Sequence, residues 1–202
     1  MPEPQTFSRP GFAATFGTVY ASNIASSGPI ASSVLATAAA NITFSAIPST
    51  YDVLWLLVVG ASAAAAETDR WSVTVNGTGG SSYDLVQVGA TVSGTPIEGA
   101  RNAYSSWLTP TASPPGDMPG ASATAGAAGI LQITIPGYAG TTLQKVGLWR
   151  SGYSDAATST ADQEATSGLV AFRSTAAISS IAIAAGSGSN LVVGTTALLY
   201  GC

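Results

Sequence analysis

The sequence predicts an all-β fold: an antiparallel β-sandwich of jelly-roll-like form with an extended N-terminal arm. Three observations carry that expectation. Helical periodicity is nearly absent, because no long stretch spaces Leu, Glu, Lys and Arg at about 3.6 residues. Short β-type runs recur, and several alternate apolar with polar residues as half-buried antiparallel strands do. Turn formers, including 23 glycines and 11 prolines in 202 residues, punctuate those runs roughly every 8–12 residues, the rhythm of an all-β sandwich or jelly roll.

Residues 1–30 come first, a mixture of Pro, Gly and Ser that also holds Phe7, Phe12, Phe16 and Tyr20. Aromatic side chains are wasted in a solvated tail, so this segment reads as an arm that anchors on another surface. Residues 31–202 then form the sandwich. Its expected strands are 42–47 (ITFSAI), 53–59 (VLWLLVV), 71–76 (WSVTVN), 83–88 (YDLVQV) and 103–108, followed by 130–135 (ILQITI), 146–150, 169–173, 178–184 (ISSIAIA) and 196–200. Trp71, Val73 and Val75 face one way with Ser72 and Thr74 opposite, and Leu131, Ile133 and Ile135 share a phase that excludes Ile130. Trp55 and Trp71, inside strand patterns, read as core. Asn76-Gly77 and Gly79-Gly80 predict a hairpin between the Trp71 and Tyr83 strands. Pro48-Ser49-Thr50 and residues 186–190 (GSGSN) separate other neighbours. The Pro/Gly/Ala-rich stretch 109–128 and the polar stretch 153–168 fall outside the expected core and read as long loops, the kind that tend to be functional or interfacial.

Composition excludes several classes of function. Charged residues make up 8% of the chain, against about 25% in a typical soluble domain. There is no histidine, so no Ser-His-Asp triad, Cys-His pair or His-ligated metal. The single cysteine, Cys202, permits no intramolecular disulfide and no thiolate cluster, and nothing basic beside it in sequence lowers its pKa. Six scattered basic residues against ten acidic ones make no phosphate-tracking stripe, so no nucleic-acid partner is expected. The strongest apolar run, 53–66, falls short of the ~20 residues of a spanning helix, and residues 1–5 lack a secretory n-region. Synthesis in the cytosol is expected, with no membrane partner.

Without histidine, carboxylates are the remaining route to acid–base chemistry. Glu67/Asp69 and Asp162/Glu164 stand two residues apart, with Asp155 close to the second pair. A glycosidase needs two carboxylates about 5–10 Å apart across a cleft, whereas neighbours in a Ser/Thr/Ala loop ordinarily stay solvated. Asp155, Asp162 and Glu164 offer oxygens to a cation, yet no calcium-loop motif is present, so neither a metal nor a cofactor is expected. Trp107 and Trp149 have polar neighbours and are the aromatic candidates for contact with a sugar ring, with packing in the core or a subunit interface as the competing role. Residues 77–80 (GTGG) lack the Lys-Ser/Thr of a phosphate loop and read as a turn. The sequons at Asn41 and Asn76 read as coincidence.

Two stretches resemble a known family. One is 34–51 (VLATAAANITFSAIPSTY) followed by Leu54 and Leu56; the other is 178–183 (ISSIAI) followed by Gly188, Asn190, Gly194 and the ending Leu199-Tyr200-Gly201, with 135–138 (IPGY) between them. Together they look like small structural proteins of tailed bacteriophages, whose jelly-roll-like sandwich opens with an ITF-x-x-IP-x-TY strand pair and closes on LYG. These are strand and turn residues, so they mark a fold and not a chemistry. Cys202 stands where an aliphatic residue is usual. The resemblance implies a non-enzymatic virion protein, a homotrimeric capsid decoration or cement protein whose partners are its own copies and the major capsid protein or other virion proteins. A tail-fibre or receptor-binding tip that contacts host surface glycans is the alternative it implies.

Overall fold

The computed structural model describes residues 28–91, 96–104, 118–154 and 163–202. Among these residues there is no helix, hence none long and apolar enough to cross a membrane. Thirteen strands follow in chain order: β1 (Ala31–Val34), β2 (Asn41–Phe44), β3 (Val53–Gly60), β4 (Thr68–Asp69), β5 (Trp71–Val75), β6 (Tyr83–Thr91), β7 (Pro96–Tyr104), β8 (Met118–Pro119), β9 (Gly129–Pro136), β10 (Lys145–Ser154), β11 (Gln163–Phe172), β12 (Ile181–Ala185) and β13 (Thr196–Gly201). Every pairing is antiparallel. One sheet has eight strands in the order β1-β13-β3-β9-β10-β11-β6-β7, a second has three in the order β2-β12-β5, and β4 pairs with β8. The protein is an all-β sandwich.

The core lies between the large sheet and the three-stranded one. From β3, β9 and β13 come Leu54, Leu56, Val58, Leu131, Ile133, Ile135, Ala197 and Leu199; against them stand Ile42, Phe44, Trp71, Val73, Val75, Ile181 and Ile183 of the small sheet. The alternation expected of Trp71, Val73 and Val75, and of Leu131, Ile133 and Ile135, is therefore the burial pattern of β5 and β9.

Several expectations need correction. The Trp71 and Tyr83 strands make no hairpin: β5 joins β12 in the small sheet and β6 joins β11 and β7 in the large one. The turn between them is real and carries the chain from one sheet to the other. The polar stretch 153–168 is not a single loop, because 153–154 end β10 and 163–168 open β11 as a paired ladder. Within 109–128, Met118 is fully buried and β8 pairs with β4. Of the strand expected at 103–108, residues 103–104 end β7, which begins at Pro96, and 105–108 lie outside the described residues; the short strands β1, β4 and β8 are additions to the expected set.

The sheet-crossing turn rests on Asn76. Asn76 and Gly77 both take left-handed backbone angles (φ 53° and 62°), and the Thr78 N–H donates to the Val75 carbonyl at 2.9 Å, the geometry that favours Asn-Gly. The Asn76 carboxamide oxygen accepts from the Ser179 N–H (2.8 Å), the Ser179 hydroxyl (3.2 Å) and the Ser180 N–H (3.2 Å), and its nitrogen donates to the Ala177 carbonyl (2.8 Å). This amide thus ties the end of β5 to the segment entering β12. Asn76→Ala removes all four bonds and leaves a Cβ-bearing residue without local compensation at positive φ, for an expected loss of roughly 2–4 kcal/mol in urea unfolding.

Candidate functional site on the open face of the large sheet

Of the residues singled out in the sequence, Phe7, Phe12, Phe16, Tyr20, Trp107, Asp155 and Asp162 lie outside the described residues. Trp149 and Glu164 lie inside them, and neither sits where a soluble ligand would meet it. Trp149 opposes Ile133 on the inner face and is 4% exposed, so its indole belongs to the core. Glu164 is not in a solvated loop: it stands on the inner face of β11 opposite Tyr153 and is 7% exposed. Asp69 is also largely buried, its carboxylate accepting from the Arg70 N–H, the Ser187 N–H and the Ser187 hydroxyl (2.8, 3.1 and 2.6 Å). That carboxylate holds a loop to β4. No group of three His, Cys, Asp or Glu side chains comes together among the described residues.

What the large sheet presents to solvent is more informative. Its register places Val53, Trp55, Leu57 and Val59 of β3 on the face opposite the core, level with Ile130, Gln132 and Thr134 of β9. Leu148 and Arg150 of β10, Ser167 and Leu169 of β11, and Val86 and Val88 of β6 continue that face. Trp55, expected in the core, is half-buried here and packs on Tyr200 with ring centroids 5.1 Å apart.

Ten large apolar side chains stay exposed among the described residues, and eight of them stand on this one face; Leu143 and Val193, in loops, are the others. Among the residues whose side chains are described, Arg150 is the one charge in the middle of the face. At its rim the Asp84 carboxylate is held by Arg173 in a two-point contact, Nη2 to Oδ1 at 2.6 Å and Nε to Oδ2 at 2.8 Å. The face is grooved. Gly152, Ala165 and Ala90 floor a trough of about 640 Å³ walled by Ile130, Val88 and Arg150. A second hollow of about 490 Å³ adjoins it between Leu148, Thr134 and Ser167.

Buried titratable groups serve the fold. The Lys145 side chain is 2% exposed and donates to the carbonyls of Leu143 (2.8 Å) and Thr175 (3.1 Å); burial pulls its pKa down. Tyr83 stacks on Phe172, accepts from the Val75 N–H at 3.0 Å and donates to the Thr78 carbonyl at 2.9 Å, while Tyr138 donates to the Pro48 carbonyl. Burial raises the pKa of both phenols. A raised folded-state pKa contributes stability that is complete below the ordinary tyrosine value of about 10 and is lost as pH climbs through the folded value. The depressed Lys145 works the other way, its penalty easing as pH rises toward the ordinary lysine range. Because the phenols and the amine act in opposite directions, the clean readout is a difference: followed from pH 8 to 11, the stability of Tyr83→Phe relative to wild type should rise above about pH 10, where the Tyr83 contribution is lost.

No protein-family model matches the sequence, and no curated protein matches it. Among solved structures, a mutant alginate lyase bound to an alginate trisaccharide aligns over 85% of this chain and 80% of its own, at 9% identity and a TM-score of 0.25. A second structure, a mutant alginate lyase with an alginate tetrasaccharide, aligns over 85% and 79%, at 12% identity and a TM-score of 0.20. Likeness at that level carries no argument about the activity of this chain.

Proposed function

We propose that this chain is a non-enzymatic structural protein of a tailed-bacteriophage virion, a homotrimer seated on the head as a decoration or cement protein. The supporting observation is the open face of the large sheet, where the exposed aliphatic side chains gather around one charge. Scattered surface hydrophobics are ordinary in a soluble protein, but a contiguous apolar face marks a surface that is covered in use. A permanent assembly covers such a face with contacts that resemble a domain core cut in half. The family-like strand and turn motifs favour a virion as that assembly, with the jelly-roll-like form of the sandwich as part of the same reading. Residues 1–30, with Phe7, Phe12, Phe16 and Tyr20, are the proposed anchor on the major capsid protein.

The test is made on particles. Mass spectrometry of purified virions should find the chain in many copies, and gold-labelled antibody should decorate heads. Labelled tails would replace the decoration reading with the fibre-tip alternative, and unlabelled particles would end both. Deletion of residues 1–30 should lower particle occupancy severalfold; occupancy held at the wild-type level would sink the anchor.

A further inference from the structure

We infer that the open face of the large sheet is covered by a second copy of this chain, packed through the same face. The inference rests on the reading above that this face is covered in use, and it names a two-fold pair as the cover. Three features of the face support a copy of the chain over a different protein.

The first is area. Seven strands, β1 to β6 in sheet order, stand about 4.8 Å apart and present outward residues over about 20 Å of strand length, a flat area of roughly 600 Å² before side-chain relief. A standard stable interface takes about 800 Å² per partner, so nearly the whole face is the size one partner needs. The second is shape. Leu148, Leu169 and Val86 stand level on three adjacent strands and form an aliphatic ridge, 63%, 40% and 52% exposed. The trough floored by Gly152, Ala165 and Ala90 crosses the same strands four residues away. A ridge and a trough that cross the same three strands let the face meet itself with ridge opposite trough, as a two-fold contact between identical subunits requires, and two apolar sheet faces pack about 10 Å apart in the way the core of each sandwich already does. The third is charge. Asp84 is already engaged by Arg173, which leaves Arg150 alone in the middle of the face. The register sets Glu98 of β7 beside Val88 toward the edge of the sheet, so the face carries sparse charges of both signs and no field of one sign. A copy brings little repulsion, and its Gln132 and Ser167, lining the same hollows, offer the guanidinium neutral acceptors.

Sedimentation velocity and light scattering on the purified full chain test this without any virion. The expected mass is about 40 kDa, twice the 20.0 kDa chain, because packing through one and the same face is two-fold and closes as a pair. Val88→Glu with Leu148→Glu should return the protein to 20.0 kDa with an unchanged circular dichroism spectrum, since both side chains are more than half exposed. Leu148→Ala, which adds no charge, should raise the concentration of half-dissociation about tenfold. Leu143→Glu, in a loop off the face and 77% exposed, should leave the mass unchanged. A monomeric wild type overturns the inference, as does an assembly that survives both face variants or that Leu143→Glu dissolves equally. A dimer supports the inference and corrects the proposed trimer, whereas a trimer overturns same-face packing. A monomeric chain that is nevertheless found on particles leaves the virion reading standing.

Discussion

Gly168→Ala is expected to cost more than about 4 kcal/mol, enough to remove most of the folded population of a domain whose total stability is about 5–15 kcal/mol. Gly168 lies in β11 between Trp149 of β10 and Gln87 of β6, on the inner face of the sheet. A Cβ there would stand 1.9 Å from the Val86 carbonyl oxygen, 2.9 Å from the Val86 carbonyl carbon and 3.0 Å from the Gln87 Cα. All three are backbone atoms of the adjacent strand. They cannot swing aside as a side-chain tip can, and moving them breaks the β11–β6 ladder that joins the β6–β7 pair to the rest of the sheet. Urea unfolding followed by circular dichroism measures the loss, or soluble yield does where the variant does not refold. A Gly168→Ala protein within about 1 kcal/mol of wild type would mean that β11 and β6 do not approach this closely.

The sequence disclosed the all-β class and the phase of β5 and β9, because in those strands polar residues interrupt the apolar ones and make the period visible. It misplaced Trp55 and left Trp149 undecided between a sugar contact and the core, for two different physical reasons. In β3 every residue from Val53 to Val59 is apolar, so alternation leaves no mark and the inward set, Leu54, Leu56 and Val58, can be read only from its neighbours. In β10 the inward residues are Lys145, Gly147, Trp149, Ser151 and Tyr153, while Val146 and Leu148 point outward. Hydrophobicity alone assigns that strand back to front. The inversion is what an outward face made for burial against another molecule would produce, and it is the strongest trace of the proposed interface in the primary structure. Glu164 was misread because Ser, Thr and Ala around a carboxylate look like a loop, yet Thr suits a strand and the ladder with β10 supplies the pairing. The Asn76-Gly77 signal marked a reversal of the chain correctly. Local turn chemistry says nothing about which strands pair beyond the turn, so the transfer of β5 and β6 to different sheets was invisible.

Trp71→Ala is expected to cost about 3–5 kcal/mol, the range for removing a buried aromatic ring. Trp71 is fully buried on β5, and its sheet has only three strands with which to cover the inner side of a sheet of eight. Large side chains must fill that inter-sheet space, and no other residue of β5 approaches the volume of this indole. Its Nε1–H is buried with no hydrogen-bond partner among the described residues, so truncation removes packing without breaking a polar contact. Trp71→Phe separates the two contributions. It keeps a six-membered ring, discards an unsatisfied donor whose burial is itself unfavourable, and should cost clearly less than alanine because the cavity it leaves is smaller. A large loss for alanine with a small one for phenylalanine locates the binding of the two sheets in the volume of the ring. Equal losses from both would point to a hydrogen bond at Nε1, and a negligible loss from alanine would mean that the three-stranded sheet is held to the large one by something other than this core.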